Sequence, residues 1–146
     1  MSTFQKDFIL RMIEMIGEFI ALLLGLIKKG DIEEATISLD NAYNTFLKED
    51  ASFFRNIPAD KLTNDLLQKH NYTNKHLEVL AELFYAEAEL RYAKQDWKSS
   101  LKFYQKTFLL LDFVERENKA FSMEKQARRS ELNSRIEEIT TRLGGE

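Results

Sequence analysis

Gly30-Asp31-Ile32-Glu33-Glu34-Ala35, followed by Leu39 and Ala42, follows the same plan as Gln95-Asp96-Trp97-Lys98-Ser99-Ser100, followed by Tyr104 and Thr107. Each stretch lies between two long segments whose apolar residues recur at helical spacing. An Asp just before such a run is a helix-start signal, because its carboxylate can accept from the first free backbone N–H groups. Each stretch therefore reads as the tight turn and second helix of a helical hairpin, and two hairpins in one chain predict an all-α fold.

Composition agrees. The 146 residues suggest one domain, long enough to bury a core without staples. Five glycines and one proline are few for a β protein, and 44% hydrophobic residues are too many for a disordered chain. The absence of cysteine excludes disulfides, thiolate metal sites and cysteine nucleophiles, and suits the cytoplasm, the expected location. Net charge is −3, and it is uneven: residues 31–60 hold seven acids against two bases. No segment is basic enough to suggest nucleic acid. Phe19 to Ile27 is strongly apolar, but Arg11, Glu14 and Glu18 precede it and Lys28 and Lys29 follow. A spanning helix needs about 20 apolar residues, so no membrane insertion is expected.

The remaining segments are read from the same spacing. The first helix covers Thr3 to Lys29 and is apolar around most of its circumference, so it must be covered from at least two sides. The second covers Asp31 to Leu47, with Asp31 as N-cap. Residues 48–59 are irregular, with Phe53, Phe54 and Ile57 turned into the core, and a short helix follows over Asp60 to Lys69. His70 to Asn74 reads as a loop. The second hairpin covers Asn74 to Lys94 and Trp97 to Arg116. A helix capped at Ser122 carries one apolar stripe (Leu132, Ile136, Ile139, Leu143), as a terminal capping helix does, and Gly144 stands where a left-handed C-cap would go.

The hairpins resemble the tetratricopeptide repeat. Phe84, Ala88, Asp96, Trp97 and Tyr104 match that motif in the second hairpin; Phe19, Leu22, Gly30, Asp31, Ala35, Leu39 and Ala42 match it in the first. Gln95, Ser100 and Thr107 depart from it, and so does Arg91. The likeness covers the two hairpins but not the segment between them. The interval from Gly30 to Gln95 is close to two periods of such a repeat. Asp7 to Glu14 and Lys119 to Glu124 also resemble segments of a small family of uncharacterised bacterial proteins, which implies the fold and a bacterial origin only. The tetratricopeptide likeness implies an all-α superhelix of antiparallel hairpins: hairpin 3–47, connection 48–73, hairpin 74–116 and capping helix 122–143.

The likeness further implies that ligand lies on the concave face of the first helix of each hairpin. That places Glu82, Tyr85, Glu89 and Tyr92 there as partner-binding residues, an acidic and aromatic surface for a basic or apolar peptide. The competing reading buries the two tyrosines against the first helix or the middle segment. The matching positions of the first hairpin, Ile20, Leu24 and Ile27, form an apolar patch that must be covered by the middle segment or a second copy. Phe4, Phe8, Ile9, Met12, Ile13 and Ile16 are the expected homodimer contacts.

Catalytic chemistry finds no support. His70 and His76 lack carboxylates at ligand spacing, so no metal or cofactor is expected. The arginines Arg128, Arg129, Arg135 and Arg142 alternate with Glu124, Glu131, Glu137 and Glu138 and read as charge pairing. The expected function is a non-enzymatic protein-interaction or scaffold module whose partner is a protein or peptide. The alternative is a small-molecule or lipid-binding bundle with a cavity lined by Phe8, Met12, Phe19 and Phe84.

Overall fold

The computed structural model describes residues 3–118 and 123–144, without the side chains of 3–9, 118 and 124. Among the described residues every regular element is helical: α1 (Thr3–Lys29), α2 (Ile32–Leu47), α3 (Ala51–Arg55), a run of 3-10, α and π turns in which α4 is Leu62–Asn64, α5 (Asn74–Ala93), α6 (Trp97–Asn118) and α7 (Met123–Gly144). The expected N-cap Ser122 lies outside the described residues.

The two turns that decided the fold have the same backbone. In the first, Gly30 has φ 89°, Asp31 N–H donates to Leu26 O (2.9 Å) and Gly30 N–H to Ile27 O (3.1 Å). In the second, Gln95 has φ 63°, Asp96 N–H donates to Arg91 O (2.9 Å) and Gln95 N–H to Tyr92 O (3.0 Å). A left-handed residue at this point returns otherwise orphaned helix-end carbonyls to hydrogen bonds. Two expectations are corrected. The Asp31 side chain makes no capping bond; its backbone carbonyl accepts from Ala35 N–H at 3.0 Å. Gly144 is the final residue of α7, and Gly30 is the left-handed glycine.

The helix enclosed on every side is α5. Buried side chains point from α5 in every direction, and α1, α2 and α6 pack around it. Small residues let α6 come close: Ser100 Oγ donates to the Ala88 carbonyl at 2.9 Å. α1 is covered from two sides, by α5 and α2, through Met12, Ile16, Ile20 and Leu23. Its shoulders stay open, and Leu22 is 73% exposed.

Residues 48–73 plug the side of α2. Phe54 stacks on Tyr43 at 5.7 Å, Ile57, Leu62 and Leu66 are buried, and Tyr72 Oη donates to Leu47 O at 2.5 Å. Lys106, only 2% exposed, reaches across from α6 and donates from Nζ to Arg55 O (3.1 Å) and Ile57 O (2.8 Å). Within the stretch read as a loop, Thr73 caps α5. His76 N–H donates to Thr73 Oγ1 (3.4 Å), and Thr73 N–H donates to His76 Nδ1 (3.0 Å). Histidine takes the place that glutamate or glutamine holds in the usual capping box, so the sequence shows the start of α5 at Asn74 but not the cap that fixes it.

Candidate functional site

An open cleft of about 390 Å³ lies where α1, α5 and α7 meet. α1 supplies an apolar wall of Ile13, Ile16, Ile20 and Leu24. The opposite wall is charged: Glu78 and Glu82 from α5, Lys125 and Arg128 from α7. Lys125 pairs with Glu78 at 2.9 Å and Arg128 with Glu82 at 3.4 Å, so this wall is polar without net charge. Gly17 and Ala21 lie one turn apart on the rim, and a Cβ built on Gly17 would meet no atom within 4 Å. A second backbone can therefore approach α1 closely there.

The cleft unites Ile20, Leu24 and Glu82, which the repeat register assigned to one face. The middle segment does not cover it. Tyr85, Glu89 and Tyr92 lie farther along α5 and are occupied within the chain. Tyr85 Oη donates to Glu131 (2.8 Å) and Tyr92 Oη to Glu138 (2.5 Å). The guanidinium carbons of Arg128 and Arg135 lie 3.8 and 3.9 Å from the centroids of those rings. Arg135 also pairs with Glu89 (3.5 Å), which accepts from Tyr104 Oη. Burial, the Glu89 charge and the Glu131 hydrogen bond push the Tyr85 hydroxyl well above its ordinary pKa. Hydrogen bonding by Tyr92 holds Glu138 below the usual carboxylate range. The tyrosines are thus covered, but by α7 and not by α1 or the middle segment.

The arginines of α7 were missed as site residues. Several of their partners lie on other helices: Glu82 and Glu89 on α5, Asp112 and Glu115 on α6, with Arg142 over Trp97 at 4.4 Å. The signal was the seven-residue spacing of Arg128, Arg135 and Arg142 against the same spacing of Tyr85 and Tyr92.

The dimer contacts divide three ways. Met12 and Ile16 are buried in the chain's own core, Ile16 with an edge on the cleft wall. Ile13 lines the cleft. The side chains of Phe4, Phe8 and Ile9 lie outside the described residues. The expected ligand cavity is not assembled from its four residues. Phe84 is fully buried beside Tyr43 and Phe103, whereas Phe19 faces the other side of α1 and packs on Phe46 at 5.8 Å.

Two buried polar groups had no sequence signal. Glu87, 2% exposed, accepts from Tyr43 Oη (3.1 Å), Arg55 Nε (2.7 Å) and Arg91 Nε (2.9 Å); Arg55 then donates to Asp40 (2.5 Å). This knot ties α2, α3 and α5. Burial, then the charge of Lys102, lowers the Lys106 pKa to about 8. The histidines have structural surroundings: His70 meets Phe53 edge-on at 4.8 Å, and His76 stacks on Tyr72 at 4.8 Å. Among the described residues no group of three potential ligands could hold a metal ion, and no helix is long and apolar enough to cross a membrane.

No protein-family model matches the chain, and no curated protein or solved structure is significantly similar to it.

Proposed function

We propose that this chain is a non-enzymatic, tetratricopeptide-like scaffold that binds an amphipathic helix of a partner protein in the cleft between α1 and α7. The hydrogen bonds that the two turns share at Gly30 and Gln95 and at Asp31 and Asp96 support the repeat reading. The observation that carries the functional reading is the cleft itself: an apolar wall, a neutralised charged wall, and open space above Gly17. A helix docks in such a groove by burying three or four aliphatic side chains while its polar face meets the rim.

The test is a display selection of amphipathic helical peptides against the full chain, with Ala21→Trp as the counter-target. Ala21 is exposed, so tryptophan there fills the cleft without entering the core. Peptides that bind the wild type and lose about tenfold or more on Ala21→Trp support the proposal. Failure to select any, or binding indifferent to Ala21→Trp, refutes it. The cleft is also of a size that holds small molecules in other proteins. A ligand carried through native mass spectrometry and lost on Ala21→Trp would favour that second reading.

A further inference from the structure

α5 and α7 run in the same direction, and their contacts repeat every seven residues. On α5 the unit is Glu82 with Tyr85, then Glu89 with Tyr92. On α7 it is Arg128, Glu131 and Leu132, then Arg135, Glu138 and Ile139. In each unit the arginine covers the tyrosine ring and pairs with the glutamate three residues before it. The tyrosine hydroxyl then donates to the glutamate three residues after the arginine. A slip of one residue breaks both clasps, and a slip of seven leaves only one. The register is therefore unique.

The outer edge of the seam joining these helices is polar and open to solvent. Among the described residues of α7, Leu132 and Ile139 are the fully buried side chains, both in the same seven-residue repeat, and Ile136 and Leu143 pack partly buried against the core. A solvent-open groove runs along the clasps, lined by Tyr85, Glu89, Glu131, Ser134, Arg135 and Glu138. Arg129 Nε is buried without a hydrogen-bond acceptor. A helix that only sealed the stack would do so with aliphatic residues and leave no guanidinium nitrogen unsatisfied. Charge pairs and cation–π contacts are individually weak at partly exposed sites, but they dictate which partner fits.

We propose that α7 is a replaceable occupant of a helix-recognition groove on α5 and α6. The groove takes, in trans, a partner-protein helix with arginine, glutamate three residues on and an aliphatic residue four on, twice at seven-residue spacing. The chemistry is already displayed in cis: an acidic, aromatic face holding arginines by stacking and pairing. This inference does not rest on the α1 cleft.

The test uses the full chain and a labelled synthetic peptide of residues 123–144, read by fluorescence anisotropy at low salt. Saturable binding is expected, at least about tenfold weaker for the Arg135→Glu peptide, because the reversal sets a like charge against Glu89 and removes the cation from the Tyr92 ring. It is also expected to weaken as salt rises from about 50 mM to about 500 mM, where screening sets in within a few ångströms. Hydrogen exchange should show α7 amides losing protection under excess unlabelled peptide while α5 and α6 keep theirs. Binding should survive Ala21→Trp and be lost in Tyr92→Ala, which separates this groove from the cleft. Equal binding of the Arg135→Glu peptide overturns the proposal. So does an absence of binding up to about millimolar peptide, the effective concentration a tethered α7 presents. A full-chain mass that doubles with concentration assigns the groove to a second copy's α7 and overturns the partner-protein reading.

Discussion

Replacing Glu87 by glutamine removes one negative charge and almost no volume from the centre of the molecule. The carboxylate is 2% exposed and accepts from Tyr43, Arg55 and Arg91. Glutamine can accept on one atom only, so its NH2 group faces a donor, Arg55 Nε or Arg91 Nε. Removing one partner of a buried ion pair costs about 3–5 kcal/mol. Here the two arginines are 23% and 28% exposed and can turn partly to water. That places the effect near the lower end, about 3 kcal/mol. For a chain of this length it corresponds to a fall in Tm of about 6–12 °C. The control is Glu82→Gln, which loses the half-buried 3.4 Å pair with Arg128. It should cost no more than about 1 kcal/mol. Urea unfolding followed by far-UV circular dichroism, with the denaturant slope unchanged, measures both. If Glu87→Gln costs no more than Glu82→Gln, the knot is not what joins α2, α3 and α5, and the reasoning fails.

Three further outcomes follow from the geometry. Gln95 holds a left-handed backbone at the site where the first turn uses Gly30. Gln95→Gly should therefore raise stability by about 0.5–1 kcal/mol in the same urea assay; a loss would show that the glutamine side chain matters more than the strain. The Nδ1 atom of His76 accepts from Thr73 N–H, and burial lowers the His76 pKa below 6.5. The folded state thus prefers the neutral ring: its contribution is complete above about pH 6.5 and falls as pH drops through the folded pKa. His76→Ala should flatten stability between about pH 6.5 and 5, and an unchanged slope would discard this assignment. The folded pKa of Lys106 is lowered to about 8, so the folded state binds this proton less tightly than the unfolded chain. Stability of the wild type relative to Lys106→Met should rise from about pH 8 towards 10, and a flat difference would refute the burial argument.

Much of the architecture could be read in advance because it is local. The 3.6-residue spacing of apolar positions marked α1, α2, α5, α6 and α7, and an acid after a left-handed position marked both turns. The spacing places the start of α5 at Asn74, where the structure has it, but the Thr73 cap is not legible, since His76 completes it and no propensity rule names histidine there. α1 is covered from two sides as its apolar circumference requires, but which helix is enclosed on every side is not legible. α1 has more apolar residues, but α5 combines alanines with a few buried polar groups and so can be packed on every side, a distinction that composition alone does not make.

The candidate site divides along the same line. Helical register put Ile20, Leu24 and Glu82 on one face, and the cleft contains all three. Register also put Tyr85 and Tyr92 on an acidic, aromatic face suited to basic groups. What covers that face is a matter of tertiary structure: α7 comes alongside α5 much later in the chain, and its arginines and glutamates find partners across the seam as well as their own i, i+4 neighbours. Glu87 and Lys106 are the same case. Along the chain each is one more charge on a helix. Only packing, by removing water, makes the first a three-donor acceptor and the second a buried clamp on the Arg55 and Ile57 carbonyls. Periodicity is a property of neighbours in sequence, whereas desolvation depends on groups far apart in sequence, and folding alone brings those together.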